Sequence, residues 1–190
     1  MRHAAPLVVL ATLLLAAPVS ATTRTVDIEE FDFGPGSLSA VMGDMVRWTN
    51  KDGFTHTSTR SGFPGWTLTV PSDASKTRAF KQAGTFSYIC TIHDGMSGSV
   101  KVPVKVTPVF GGPSTTFTVK VATIDAPAGS TYVIQRRAPG GSFRAWRTTT
   151  AKQVTFKSSV KGTWQFRSLV KKTSNGLSSG FSPTDSVTID

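Results

Sequence analysis

The stretch YICTIHDGMSGSV, residues 88–100, holds the only cysteine of the chain, with His93 three positions after Cys90 and Met96 three positions after that. It lies between two alternating segments, TFSYIC (85–90) and SGSVKV (97–102). Alternation of this kind marks half-buried strands, so the residues between them form a short connection at one end of a sheet. A thiolate sulfur, an imidazole nitrogen and a thioether sulfur on one such connection make a soft, mixed set of metal donors. Calcium and magnesium prefer oxygen and do not suit it. Zinc takes thiolate and imidazole but not usually thioether. Copper accepts all three, and a trigonal Cys-His-His set with a long axial Met is the arrangement of an electron-transfer copper site.

A fourth donor has one source. The chain has three histidines, and His3 falls in MRHAAPLVVLATLLLAAPVSA, residues 1–21. That segment has a positive start, an apolar run and a small-residue end, and it reads as a secretory signal removed after export. The apolar run is too short for a spanning helix, and no basic stop follows it. His56, in NKDGFTHTST (50–59), is then the remaining imidazole, placed at the start of a strand. Taken singly, these residues have plain alternatives: a buried small thiol, a methionine filling the core, a surface histidine. Their ordered spacing favours a metal site.

The rest of the chain reads as all-β. RTVDIEEF, SLSAV, MVRWTN, HTSTR, WTLTV, TRAFKQ, TFSYIC and SGSVKVPVKV are expected strands of a first sandwich over residues 22–106, with turns at DGF, FPG and QAG. TPVFGGPSTT (107–116) is rich in Pro and Gly and is expected to be a linker. Beyond it, over 117–190, TFTVKVATI, STYVIQRRA, FRAWRTT, QVTFKS, GTWQFRSLVKK and DSVTI predict a second, smaller sandwich. With one cysteine, no internal disulfide can form, so both halves depend on packed cores.

Charge is divided unevenly. Residues 22–106 carry nine Lys/Arg against eight Asp/Glu, and residues 107–190 carry eleven against three, so most of the net +10 belongs to the second half. Such asymmetry marks a soluble surface or a docking face for an acidic partner or an anionic cell-envelope polymer. Export and the absence of a recognition motif argue against nucleic acid.

GDMVRWTNKDGFTHT and AGTFSYICTIHDGMSGSVKV together resemble the two ligand segments of the plastocyanin and amicyanin family of blue copper proteins, the cupredoxins, in order and spacing. The resemblance implies a cupredoxin Greek-key β-sandwich in the first half and one copper held by His56, Cys90, His93 and Met96. It also implies that Thr57 and Thr91 tie the two ligand segments together, with Thr57 standing where the family has Asn. Thr55 and Ile92 replace prolines that the family often has, and Asp94 directly follows His93. His93 is the expected exposed ring edge, with Phe54, Phe63, Pro64 and Met42 as rim candidates beside ordinary packing roles. In the second half, GSTYVIQRR, GTWQFRSLV and GLSSGFSP resemble a fibronectin type III or immunoglobulin-like module. The family's strand tyrosine is Trp164 here, so no hydroxyl-based corner is expected at that place; Trp146 and Trp164 are expected in the core.

An oxidase needs further imidazoles for an oxygen- or substrate-binding copper, and a dinuclear thiolate-bridged centre needs a second cysteine. Neither is available, so the expected function is not enzymatic. It is one-electron transfer between Cu(I) and Cu(II) by an exported protein, periplasmic or extracellular, that docks transiently on another exported redox protein. Two alternatives remain: a copper carrier or buffer without redox turnover, and a cell-surface adhesion or scaffold protein with a vestigial copper site.

Overall fold

The computed structural model describes residues 21–190; the secretory signal expected at 1–21 lies outside the described residues but for Ala21. Among them, no helix is long and apolar enough to cross a membrane. The chain is all-β. In the first half, β1 (Thr23–Glu29), β2 (Asp32–Gly34), β4 (Met45–Asn50) and β7 (Ser75–Ala79) form a sheet in the order β2-β1-β4-β7. A second sheet runs β3-β9-β8-β5-β6, from β3 (Ser37–Ser39), β5 (His56–Arg60), β6 (Trp66–Val70), β8 (Gly84–Ile89) and β9 (Ser97–Val102). The β1–β4 and β3–β9 pairs are parallel and the others antiparallel, so the chain crosses between the two sheets.

Alternation explains the layering. In β4, Val46, Trp48 and Asn50 are buried while Arg47 is exposed; in β8, Phe86 and Tyr88 are buried while Ser87 and Ile89 are exposed. These inward rows meet as aromatic pairs. Trp48 stands edge-on to Tyr88 with centroids 5.4 Å apart, and Phe33 of β2 stands edge-on to the same ring at 4.9 Å. Such contacts contribute about 0.5–1.5 kcal/mol each beyond the area they bury. Gly98 of β9 lies directly opposite Tyr88, and a Cβ there would come within 2.5 Å of the phenol ring. The tyrosine therefore fills the space the glycine leaves, close to the end of the ligand loop.

The second half has two further sheets. One is β10-β12-β15, from β10 (Lys105–Thr107), β12 (Phe117–Lys120) and β15 (Gln153–Phe156). The other is β11-β17-β16-β13-β14, from β11 (Phe110–Gly111), β13 (Ser130–Arg137), β14 (Phe143–Thr149), β16 (Gly162–Lys172) and β17 (Asp185–Ile189). Phe156 joins the two layers, its ring 5.0 Å from both Trp164 and Phe166. Trp164 is buried and Trp146 packs on the core as a partly buried residue. The Trp164 indole N–H donates to Val160 O at 3.1 Å.

Two organisational expectations differ from the structure. The segment 97–106, read as one strand, divides at Pro103, and its second part, β10, pairs with β12 of the second half. Proline cannot donate to the β8–β9 ladder, so the strand changes sheets there. The segment 107–116, read as a linker, carries β11, which pairs with the C-terminal strand β17. Val106 N–H also donates to the Asp185 carboxylate.

The halves are bonded to one another. Ala83 N–H donates to Val121 O, and Thr85 and Gly180 exchange backbone bonds at 2.9 and 3.0 Å. The Arg60 guanidinium spans the junction, donating to Ser87 O and Ser178 O at 2.9 Å each.

Candidate metal centre

The site forms where β5 begins and β8 ends. Asn50, buried at the end of β4, shapes the approach to it. Its side-chain amide donates to the carbonyls of Phe54, Val70 and Pro71, and its oxygen accepts Asp52 N–H at 3.0 Å. That Asx turn reverses the chain so that β5 starts at His56, inside the sandwich. Across the sheet, β8 ends at Ile89 and delivers Cys90 beside it. Cys90 N–H donates to Met96 O at 3.1 Å, which closes the loop on itself, and Gly95 (φ 83°) supplies a left-handed residue the turn requires.

His56, Cys90 and His93 come together. The two Nδ1 atoms are 3.0 Å apart, and Cys90 Sγ lies 3.9 Å from His56 Nδ1 and 3.8 Å from His93 Nδ1. Metal bonds of about 2.0–2.3 Å to nitrogen and sulfur span edges of that length. The donors are soft and the triangle has room for one ion. The three residues thus fit a mononuclear site. His56 is fully buried and Cys90 is 5% exposed, while His93 is half-buried. Met96 is buried in the same core cluster as Cys90, one turn of loop away.

The thiol is prepared for ligation. Burial opposes its ionisation, but N–H groups of Thr57, Ile92 and His93 directed at the sulfur outweigh burial and pull the thiol below its ordinary range. The Thr57 N–H lies 3.4 Å from Sγ. The Thr57 hydroxyl accepts Thr91 N–H at 2.9 Å and the Thr59 hydroxyl at 3.1 Å, and pairs with the Thr91 hydroxyl at 3.0 Å. One short side chain therefore joins the segment that carries His56 to the segment that carries Cys90.

Asp52 and Phe31 escaped the sequence reading. Asp52 Oδ2 lies 2.9 Å from His56 Nε2, an ion-pair distance at which the N–H is not aligned as a hydrogen bond. The same carboxylate accepts the N–H groups of Glu30 and Phe31 at 2.8 and 3.1 Å. Those two residues form the β1–β2 turn with positive φ of 52° and 58°, a conformation that non-glycine residues seldom adopt. Burial works against the Asp52 charge, and these N–H groups together with His56 outweigh it and hold the carboxyl below its usual range. His56 moves down as well, through burial and then the nearby His93, against the pull of Asp52. A neutral His56 with Nε2 turned to Asp52 presents a free Nδ1 lone pair to the triangle.

Asp52 holds the turn that places Phe31 over the site, its ring 5.0 Å from His93 and 5.6 Å from His56, nearly perpendicular to the first. Phe54 lies 6.4 Å from His93. Phe31, Phe54 and Ile92 are 46%, 60% and 52% exposed, so an apolar rim lies around His93, the one of the three clustered residues that reaches the surface. Of the four rim candidates, Phe54 alone is there. Met42 precedes β4 and Phe63 and Pro64 follow β5, which places all three at the opposite end of these strands. Asp94 is exposed and forms no ion pair among the described residues. The turn preceding β2 and the Asx turn at NKD are the sequence signals that point to Phe31 and Asp52. Neither says that the two turns meet.

Replacing Asp52 with asparagine removes the charge that orients His56 and orders the β1–β2 turn. Metal affinity is expected to fall about 10–100-fold, measured by competition with a chelator. The unfolding midpoint at neutral pH is expected to fall as well, because the carboxylate that accepts the Glu30 and Phe31 N–H groups is gone.

No family model matches the chain, and no curated protein matches it. Among solved structures it is similar to amicyanins. One is the Cu(I) form of a methionine-to-alanine variant, 26% identical over 41% of this chain and 79% of that one, with a TM-score of 0.38. Another is a reduced tryptophan-to-tyrosine variant, 25% identical over 45% of this chain and 87% of that one, TM-score 0.41. A third is an oxidized proline-to-alanine variant, 28% identical over 41% and 79%, TM-score 0.38.

Proposed function

We propose that this is an exported mononuclear copper protein that carries single electrons, with His56, Cys90, His93 and Met96 as the metal ligands and residues 22–106 as a cupredoxin domain. The observation that carries the reading is the N, N, S triangle of His56, His93 and Cys90, closed by a loop that also supplies a buried thioether. Copper, when bound, supplies a one-electron Cu(I)/Cu(II) couple, and thiolate, imidazole and thioether together suit it better than zinc.

The chain's own residues do the remaining work. The Thr57 hydroxyl and N–H hold the two ligand segments and the sulfur at fixed separation, so little rearranges when the charge at the centre changes. The Asp52 carboxylate beside Nε2 favours the His56 tautomer that carries its proton there and leaves Nδ1 free. Phe31, Phe54 and Ile92 exclude water around His93, and its ring edge is the contact point for a partner. An apolar rim without ion pairs suits a weak and transient encounter with another exported redox protein. The second half, which we read as an immunoglobulin-like module of residues 117–190, carries none of these groups.

Cu(II) added to the protein is expected to give an intense blue or green band that disappears on reduction and returns on reoxidation, with the metal retained throughout. Copper that is held but leaves for a chelator in one oxidation state would identify a carrier instead. A colourless complex, or preference for zinc, would remove the redox reading.

A further inference from the structure

At the end of the first sandwich away from His56, the two halves enclose a groove of about 630 Å3. Its size is that of a small-molecule site, and junctions between packed units are where such sites concentrate. Met42, Pro103 and Val104 supply apolar lining, and Val41, an exposed apolar side chain, borders it. Three lysines stand around this apolar floor: Lys81 from the segment before β8, Lys105 of β10 and Lys120 of β12.

The lysines are arranged against their own electrostatics. Lys105 and Lys120 are direct cross-strand partners, and like charges directly opposite one another destabilise an antiparallel pair. Every ion pair among the described residues lies between Arg24 and His56 in the chain, so none of the three lysines has a carboxylate partner. An apolar trough ringed by unpaired ammonium groups complements a ligand with one anionic head and a hydrocarbon tail. A small inorganic anion would leave the apolar lining wet, and a neutral lipid would leave the repulsion in place.

We propose that this groove binds a single-chain anionic amphiphile, a long-chain carboxylate, with its head among Lys81, Lys105 and Lys120 and its first methylenes along Met42, Pro103 and Val104. The site is independent of the metal centre. Strands β4 and β8 each run six residues, roughly 20 Å, between the two ends of the sandwich.

The test is calorimetric titration of the protein with dodecanoate below its micelle concentration. Saturable binding of one molecule per chain is expected, with no binding of acetate, which lacks the tail, or of dodecyltrimethylammonium, which lacks the charge. The Lys105→Gln/Lys120→Gln double variant is expected to bind at least tenfold more weakly while its unfolding midpoint holds or rises, because a repulsion has been removed. Met42→Glu, which adds a carboxylate beside the lysines, is expected to abolish binding, with near-ultraviolet dichroism reporting its fold. Equal affinity for all three probes, or variants that bind as the parent does, would overturn the proposal. So would binding only to anionic phospholipid vesicles, which assigns the face to a membrane surface, or dimerisation that blocks the groove.

Discussion

Cys90→Ser is expected to abolish the intense visible band of the Cu(II)-loaded protein and to weaken copper binding by more than the roughly 100-fold that loss of an outer-sphere partner brings. The thiolate is the softest donor of the set and the one the fold prepares most carefully, with three N–H groups directed at the sulfur that pull the thiol down against the effect of burial. Serine keeps the shape and can still accept the Thr57 N–H, so the sandwich is expected to unfold at nearly the same temperature. Its hydroxyl does not ionise at neutral pH, so the triangle loses its one anionic donor and keeps two imidazoles. Absorption spectra and chelator competition on parent and variant check this. A variant that retains the band would show that Cys90 is not the ligand.

The largest effect on stability is expected at Asp44, a fully buried carboxylate between β3 and β4. It accepts the Thr22 N–H and hydroxyl at 3.0 Å each, the Val41 N–H at 3.0 Å and the Arg24 Nε–H at 2.6 Å. These bonds pin the start of β1 to the turn before β4. Asp44→Asn turns an amide toward donors that have nowhere else to go, and the loss is expected to be about 3 kcal/mol. For a chain of this size that lowers the unfolding midpoint by about 6–12 °C.

Its pH dependence has a definite sign. Burial tends to raise the Asp44 pKa, but Thr22, Arg24 and Val41 outweigh it and hold the carboxyl below its ordinary range. Because the folded value lies below the unfolded one, the contribution is complete above the unfolded carboxylate range near 3.9 and is lost as the pH falls through the folded value. The difference between parent and Asp44→Asn is therefore expected to be constant from pH 7 to about 5 and to shrink below pH 4. A gap of the same size at pH 3 would mean that the bonds to Asp44 do not depend on its charge.

Local pattern in the sequence determined the strands and the donors. Period-two alternation placed nearly every strand because, in a sheet with one buried face, alternate residues must be apolar. Scarcity placed the candidate metal donors: one cysteine and two histidines beyond residue 21 leave few ways to build a site. The spacing of Cys90, His93 and Met96 is local, so it could be read along the chain. Long-range pairing decided the rest. Asp52 and Phe31 reach the site because the turn after β1 and the turn after β4 lie side by side, a consequence of the parallel β1–β4 register that neither segment announces. Met42, Phe63 and Pro64 have the composition of a rim but sit at the wrong end of their strands, and composition carries no direction. The strand 97–106 looks continuous because its alternation continues through Pro103, yet the missing N–H and the facing strand β12 decide where its second part pairs. The groove with its three lysines exists only because the two halves meet there.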